Sequence, residues 1–115
     1  MDLGAYELME LSFDGGVQVS KVREHATGNV FQIHAFHGEM LAEFDRLCRD
    51  SAAIPAEMSR IVEITRDQTS GFVRTTLLPG TVGILGWIFG LQAALDDTAE
   101  ARVYRLAVQL AKGRE

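Results

Sequence analysis

A run of twenty-one residues without a charge, from Thr75 to Leu95, constrains this chain more than any other feature of its sequence. Elsewhere a charged residue occurs every few positions, and 23% of all residues are charged. Because exposed apolar surface is unfavourable in water, the run is expected to be covered. The cover can be the rest of the domain, a second copy of the chain, a partner protein or a lipid bilayer.

The size of the chain predicts one domain, spanning residues 1–115. With 47% hydrophobic residues, it has enough apolar side chains for a core of its own. The net charge is −5 and the basic residues are scattered, which argues against nucleic-acid binding. A single cysteine, Cys48, excludes an internal disulfide, and the first residues do not resemble a secretory signal. The expected location is therefore cytoplasmic.

Alternating apolar residues predict three strands in the first third of the chain. They are separated by turn signals and cover residues 6–13, 17–22 and 30–36. The first turn, Asp14-Gly15-Gly16, contains residues that tolerate a positive φ, as a tight hairpin requires. On the first strand, Tyr6, Leu8 and Phe13 are expected mostly on one face. The three strands are predicted to form an antiparallel meander.

After Gly38 the spacing of apolar residues changes to that of a helix. From Glu39 onward, one helical face collects the apolar side chains of Met40, Leu41, Phe44, Leu47 and Cys48. Charged residues such as Glu43 and Arg46 point away from it. This pattern predicts an amphipathic helix that packs on one face of the sheet.

Two further strands are predicted at residues 60–65 and 72–78, joined by a turn at 67–71. They are expected to form a second hairpin. Between the first helix and this hairpin, residues 51–60 are open to two interpretations. Pro55 can begin a short helix, or the segment can be extended.

The rest of the chain is predicted to be helical. Residues 81–95 form a helix that is apolar on nearly all sides, which indicates a central or embedded position. Asp97 and Glu100 have the spacing of a capping box for a last helix that closes at Gly113. The fold class is therefore α+β, in the order βββα-ββ-αα, with an antiparallel sheet of about five strands packed by two or three helices.

A stripe of small residues runs along the helix of residues 81–95, within about one quadrant of the helical wheel: Gly83, Gly86, Gly90 and Ala94. Glycine lowers helix stability by about 1 kcal/mol per interior position relative to alanine, so the stripe indicates close approach by another element or protein. Trp87 and Phe89 are residues of the kind that anchor interfaces. The predicted interface is Gly83, Gly86, Trp87, Phe89 and Gly90.

Contact within the same chain or insertion into a membrane would also cover this segment. A membrane span needs about 20 apolar residues, and the uncharged run is long enough. However, Pro79-Gly80 lies near one end and neither flank carries a basic cluster. A membrane segment is therefore not the preferred interpretation.

Three side chains that can bind a metal lie close in sequence: His34, His37 and Glu39. A metal site needs three or four ligands in fixed geometry, and no other Cys or His cluster completes this set. Ordinary surface histidines at a strand end are the favoured interpretation. Cys48 is expected to be a small core residue rather than a nucleophile. No catalytic residue, metal or cofactor is predicted.

The predicted function is that of a small, non-enzymatic protein-binding module, such as an immunity- or antitoxin-like inhibitor, an adaptor or an assembly component. Its expected partner is another protein or a second copy of the chain, which would form a homodimer through the apolar Gly/Trp helix. Neither nucleic acid nor a membrane is expected as a partner. The alternative is a domain that binds a small molecule or lipid. Its apolar pocket would be lined by residues 81–95, with His34 or His37 at the mouth.

Overall fold

The computed structural model of the protein describes residues 2–79, 83–96 and 110–111. Its strands are β1 (Asp2–Leu3), β2 (Tyr6–Asp14), β3 (Val17–Glu24), β4 (Val30–His37), β5 (Ile61–Arg66) and β6 (Ser70–Thr75). Its helices are a 3₁₀ turn (Gly38–Met40), α1 (Leu41–Ser51), α2 (Ala56–Ser59) and α3 (Ile84–Asp96). The strands form one antiparallel sheet in the order β1-β2-β3-β4-β6-β5. The predicted α+β class is confirmed.

The predicted meander corresponds to β2, β3 and β4. Gly15 and Gly16 both have positive φ, at 55° and 92°, and so close the tight turn between β2 and β3. The short strand β1, which pairs with the start of β2, is an addition that the sequence pattern does not indicate.

The predicted second hairpin is also present, but β6 starts and ends earlier than expected. The Asp67 carboxylate accepts hydrogen bonds from the backbone N–H groups of Thr69 (2.9 Å) and Ser70 (2.7 Å), so the turn is tight and pairing begins at Ser70. The strand ends at Thr75 because the chain then turns Leu78 into the core. The Leu78 N–H donates to Oε1 of Gln32 at 3.0 Å instead of to a strand.

Of the two interpretations that the sequence leaves open for residues 51–60, the structure has the short helix. Pro55 precedes the one-turn helix α2, and β5 follows directly. Arg60 separates the two elements with a left-handed backbone, φ 63°, and its N–H donates to the carbonyl of Ala56 at 3.1 Å. This left-handed residue ends the helix and redirects the chain into the sheet.

The sheet has a helix face, on which α1 and α3 pack, and an open face, on which no described helix packs. Residue pairing across β3, β4 and β6 places Val19, His34 and Val73 together on the helix face. The core lies between this face and the two helices. It is formed by Val17, Val19, Phe36, Phe44, Leu47, Ile54, Val73, Leu78, Ile84 and Ile88. The predicted packing of α1 on one face is confirmed.

Gly71 in β6 allows α1 to approach the sheet closely. A Cβ atom at this position would lie 2.5 Å from ring carbons of Phe44, whose side chain is only 2% exposed. The Phe44 ring also packs against Phe36, with 5.7 Å between ring centroids. The aromatic ring therefore occupies the space that a side chain at position 71 would need.

Long side chains cover part of the open face. Arg74 reaches across it, with its guanidinium carbon 4.8 Å from the centroid of the Phe31 ring and Nη1 donating to the Tyr6 hydroxyl at 2.9 Å. The same guanidinium lies 3.3 Å from Glu63 and 3.8 Å from Glu24. This one side chain, which belongs to β6, therefore contacts residues of the four other strands β2, β3, β4 and β5.

A β-bulge at Met9 changes the direction of the side chains in the second half of β2. Leu8 pairs with Val22 and Glu10 with Lys21, which leaves Met9 as an extra residue. Beyond the bulge, Leu11 and Phe13 lie on the open face, as Tyr6 and Leu8 do before it. The predicted grouping of Tyr6, Leu8 and Phe13 on one face is confirmed because the bulge shifts the alternation by one residue.

Helix α3 begins at Ile84, later than the predicted residue 81, and lies across the helix face. Ile84 and Ile88 are buried on its inner side, whereas Gly86, Phe89 and Gly90 are exposed. In the described part of the chain, α3 packs on a single layer, and no described element covers its outer side; whether a partner covers it, as in the prediction of an embedded helix, stays a prediction. The last predicted helix, from Asp97, lies outside the described residues except for Leu110 and Ala111, which are helical.

Candidate functional site

The five residues of the predicted interface divide into two groups. Gly83 and Trp87 contact their own chain: a Cβ atom at Gly83 would overlap the Asp14 carboxylate, and Trp87 is half-buried. Gly86, Phe89 and Gly90 point outward, and we call these three residues the outer side of α3. Phe89 is 66% exposed, and a Cβ atom at Gly90 would have no described atom within 4 Å.

Trp87 joins α3 to the segment between α2 and β5. Its indole Nε1–H donates to the backbone carbonyl of Ser59 at 3.0 Å, and the guanidinium of Arg60 lies 5.5 Å from the ring centroid. Arg60 in turn donates from Nη1 to the carbonyl of Leu77 at 2.6 Å. The aromatic residue with the strongest tendency to anchor an interface is thus held by contacts within the chain.

Replacement of Trp87 by phenylalanine is expected to lower the free energy of unfolding by about 1 kcal/mol, because the Ser59 carbonyl loses its donor. Urea unfolding followed by circular dichroism measures the change. Phe13→Leu, at a position 71% exposed on the open face, is the control and should alter stability little. Equal stability of Trp87→Phe and the control would contradict the assignment of Trp87 as an internal clamp.

A groove of about 290 Å³ runs between α1 and α3 beside the outer side of α3. Its floor is apolar and consists of Leu47, Leu85 and Ile88, while Glu43, Arg46 and Asp50 of α1 form the opposite rim. Gly86 keeps the groove open because it has no side chain, and Phe89 stands at its edge. An apolar floor within a charged rim is the arrangement that accepts an apolar anchor from a protein partner.

The three candidate metal ligands are not brought together. His34 and His37 are an odd number of residues apart on β4, so they lie on opposite faces of the sheet. His34 is 1% exposed on the helix face, with Nε2 3.0 Å from Oγ1 of Thr75. His37 is exposed, with Nδ1 2.6 Å from Oγ of Ser70. In the described ranges no group of three possible ligands occurs.

The interpretation of both residues as surface histidines is therefore wrong for His34. Its burial lowers its pKa from 6.5 to about 4, because the charged imidazolium would lose its hydration. Its Nδ1 atom is buried and has no hydrogen-bond partner among the described residues. His34 is a neutral imidazole at pH 7 with one unused polar atom.

A second cavity, of about 410 Å³, lies on the helix face where β2, β3 and β4 meet the start of α3. We call it the polar cavity, because six of the side chains that line it are polar: Glu10, Ser12, Asp14, Lys21, Gln32 and His34. Val19, Leu77 and Leu78 add an apolar wall. The sequence suggested a single apolar pocket with a histidine at its mouth. In the structure, α3 residues line the groove and His34 lines the polar cavity.

Cys48 lies half-buried on α1. Burial and, to a smaller extent, the nearby carboxylate of Asp45 raise the pKa of its thiol. A protonated thiol is a poor nucleophile, in agreement with the expectation of a structural cysteine.

The sequence pattern gives no sign of the polar cavity, apart from His34. Glu10, Lys21 and Gln32 are ordinary polar residues of strands, and only the pairing of β2, β3 and β4 places them side by side. None of the described helices is long and apolar enough to cross a membrane. Comparisons with family models, curated proteins and solved structures gave no match.

Proposed function

We propose that this chain is a small protein-binding module that self-associates through the outer side of α3 and the groove beside it. The observation that carries this proposal is the position of Phe89. Its ring is 66% exposed at the edge of a groove whose floor is apolar. A large exposed aromatic next to an unfilled apolar groove is the pairing that a second copy of the chain can satisfy.

A twofold arrangement uses both features at once. Each copy inserts Phe89 into the groove of the other, so the same residues serve as anchor and receptor. Gly86 and Gly90 lack side chains on the outer side of α3, which allows two helices to approach closely. The rim carries both signs of charge, with Arg46 and Asp50 3.6 Å apart, so like charges need not face each other across the axis.

Inhibitor, adaptor and assembly-component roles all use a surface of this kind. Self-association is the form that the outer side of α3 favours, because anchor and receptor occur on the same chain. A different protein that presents an apolar side chain would compete for the same groove.

Replacement of Phe89 by serine is expected to weaken self-association by at least about 30-fold, the effect of losing an anchor worth about 2 kcal/mol. Sedimentation equilibrium over a range of concentrations measures the dissociation constant. Phe13→Ser is the matched control, since Phe13 is 71% exposed but lies on the open face. A wild-type chain that stays monomeric, or equal effects of the two substitutions, would overturn the proposal.

Phe89→Ser tests the anchor of the interface, and a variant that fills the groove tests the receptor. Gly86→Leu should place a side chain over the groove and abolish association, while circular dichroism reports an intact fold. Gly90→Ala, which adds a single methyl group on the same side of the helix but away from the groove lining, should weaken association far less than Gly86→Leu does. Retention of the wild-type dissociation constant in Gly86→Leu would contradict insertion of Phe89 into this groove.

A further inference from the structure

We propose that the polar cavity binds a small zwitterion in which an ammonium and a carboxylate group lie close together, as they do in a free amino acid. This site is separate from the groove, since no described residue lines both of them. Its volume of about 410 Å³ is at the small end of the range for ligand pockets.

Strand pairing places a cation between an anion and an amide. Glu10 pairs with Lys21, and Lys21 pairs with Gln32, so these three side chains form one row across β2, β3 and β4 on the helix face. Directly opposed residues of antiparallel strands have Cβ atoms about 5 Å apart. The row therefore places a negative group and a positive group on neighbouring strands, on the same face of the sheet.

The charged groups of the row are not used by the protein. In the described part of the chain, neither Glu10 nor Lys21 belongs to an ion pair, although the two are opposed in the sheet. By contrast, Arg23 on the same strand pairs with Glu7 at 3.7 Å. The carboxylate and the ammonium of the cavity are thus available to charges of opposite sign on a ligand.

Gln32 is oriented by the backbone. Its Oε1 accepts the N–H of Leu78 at 3.0 Å, so its NH₂ group remains free to donate. Next to the ammonium of Lys21, this amide supplies a second donor to a ligand carboxylate. The ammonium group would attract the ligand carboxylate through its charge, and the amide N–H would orient it through a directional hydrogen bond.

His34 adds a buried polar atom that the described part of the chain leaves unpaired. Its Nε2 lies 3.0 Å from the hydroxyl of Thr75, and no described group is a partner of its Nδ1. If the Thr75 hydroxyl donates to Nε2, a single group, the Nδ1–H, is left unpaired. The opposite tautomer would leave both Nδ1 and the Thr75 hydroxyl hydrogen unpaired, so the first arrangement costs less. We assign the proton to Nδ1, so His34 is a neutral polar side chain in the lining of the cavity.

The opposite end of the cavity carries a second carboxylate. Asp14 lies against Gly83 at the start of α3, and a Cβ at position 83 would overlap the carboxylate. Asp14 and Glu10 together favour a positive group on the ligand, while Val19 and Leu78 can contact its apolar part. Two carboxylates, one ammonium and neutral donors match a zwitterion better than they match an anion or a cation alone.

Isothermal titration calorimetry with the twenty L-amino acids, each added separately to the wild-type protein, tests the proposal. At least one is expected to bind. Its N-acetyl and its amide derivatives, which lack the ammonium and the carboxylate respectively, should each bind at least 10-fold more weakly. Absence of binding by every amino acid, or equal affinity of either derivative, would overturn the proposal.

Matched variants locate the site. Lys21→Gln should weaken binding at least 10-fold, whereas Arg23→Gln, the same charge change on the same strand, should leave it unchanged. The ¹⁵N chemical shift of His34 Nδ1 should move on binding. A bound amino acid that is insensitive to Lys21→Gln and leaves this signal unmoved would place the site elsewhere and contradict the assignment.

The test is independent of self-association. Phe89→Ser should bind the amino acid as the wild type does, and Lys21→Gln should associate as the wild type does. Loss of one property without the other therefore identifies which proposal has failed.

Discussion

Replacement of Gly71 by alanine is expected to lower the free energy of unfolding by about 3 kcal/mol, in the upper part of the range for an overfilled core. The added Cβ would lie 2.5 Å from ring carbons of Phe44, closer than two carbon atoms can approach. Phe44 belongs to α1 and packs against Phe36, so its ring cannot move away without displacing the helix. Urea unfolding of the wild type and the variant gives the difference.

Gly90→Ala is the matched control for this substitution. The same methyl group is added, but no described atom lies within 4 Å of it. Alanine favours a helix over glycine by about 1 kcal/mol, so this variant should be more stable than the wild type. Two identical substitutions with effects of opposite sign would show that close packing at Gly71 is responsible.

A double variant tests the contact itself. Phe44→Leu should destabilise the protein by itself, since it leaves a cavity in the core. Combined with Gly71→Ala, it should cost clearly less than the sum of the two single changes, because the smaller side chain makes room for the methyl group. Additive effects would mean that Gly71 is required for a reason other than Phe44.

Acidification is expected to destabilise the protein through His34 by about 3 kcal/mol. The pKa of this imidazole is about 4 in the folded chain, against 6.5 when it is unperturbed. Above pH 6.5 both states are neutral and the contribution is constant. Between pH 6.5 and 4 only the unfolded state takes up a proton, so stability falls as the pH falls. Below pH 4 both states are protonated and no further loss occurs.

The measurement is the difference in unfolding free energy between the wild type and His34→Gln, taken by urea titration at several pH values from about 7 to about 4, the range in which the histidine titrates. Carboxylates also titrate in this range, but they are present in both proteins and cancel in the difference. His37→Gln, which removes an exposed imidazole, should follow the wild type. A difference that does not vary with pH would show that His34 is hydrated in the folded protein.

The sequence predicts the positions of the strands and helices of this fold well, but it predicts poorly which of their faces are covered. The strands and α1 follow from patterns within each segment, and such patterns survive in any arrangement of the elements. Whether a face is covered depends on what packs there. Gln32 and His34 give one face of β4 a polar appearance, yet α1 and α3 pack on that side. His34 is therefore buried where the pattern indicates an exposed strand end.

The glycines illustrate the same limit. The stripe on α3 indicates where a backbone can approach, and within the described chain no such approach occurs at Gly90. Close approaches occur instead at Gly83, where the Asp14 carboxylate occupies the space of a side chain, and at Gly71, which in the sequence resembles only a turn residue. The spacing of small residues on one element shows where another element can approach it closely. Whether such a contact forms depends on the element that packs against it.

The polar cavity could not be predicted because it depends on how three strands pair. Glu10 and Gln32 are far apart in the chain, and they lie in one row only through Lys21. A shift of one residue in either pairing would move one of them to the other side of the sheet.

The β-bulge at Met9 determines on which face of the sheet each later side chain of β2 lies. Without the bulge, Met9 would pair with Lys21, and strict alternation would turn Leu11 and Phe13 toward the helices and Glu10, Ser12 and Asp14 toward the open face. The same amino acids would then extend the apolar interior, and the cavity would have lost its polar wall. In this sheet, one irregularity in the pairing of β2, and not the identity of its residues, decides whether apolar or polar side chains of that strand face the helices.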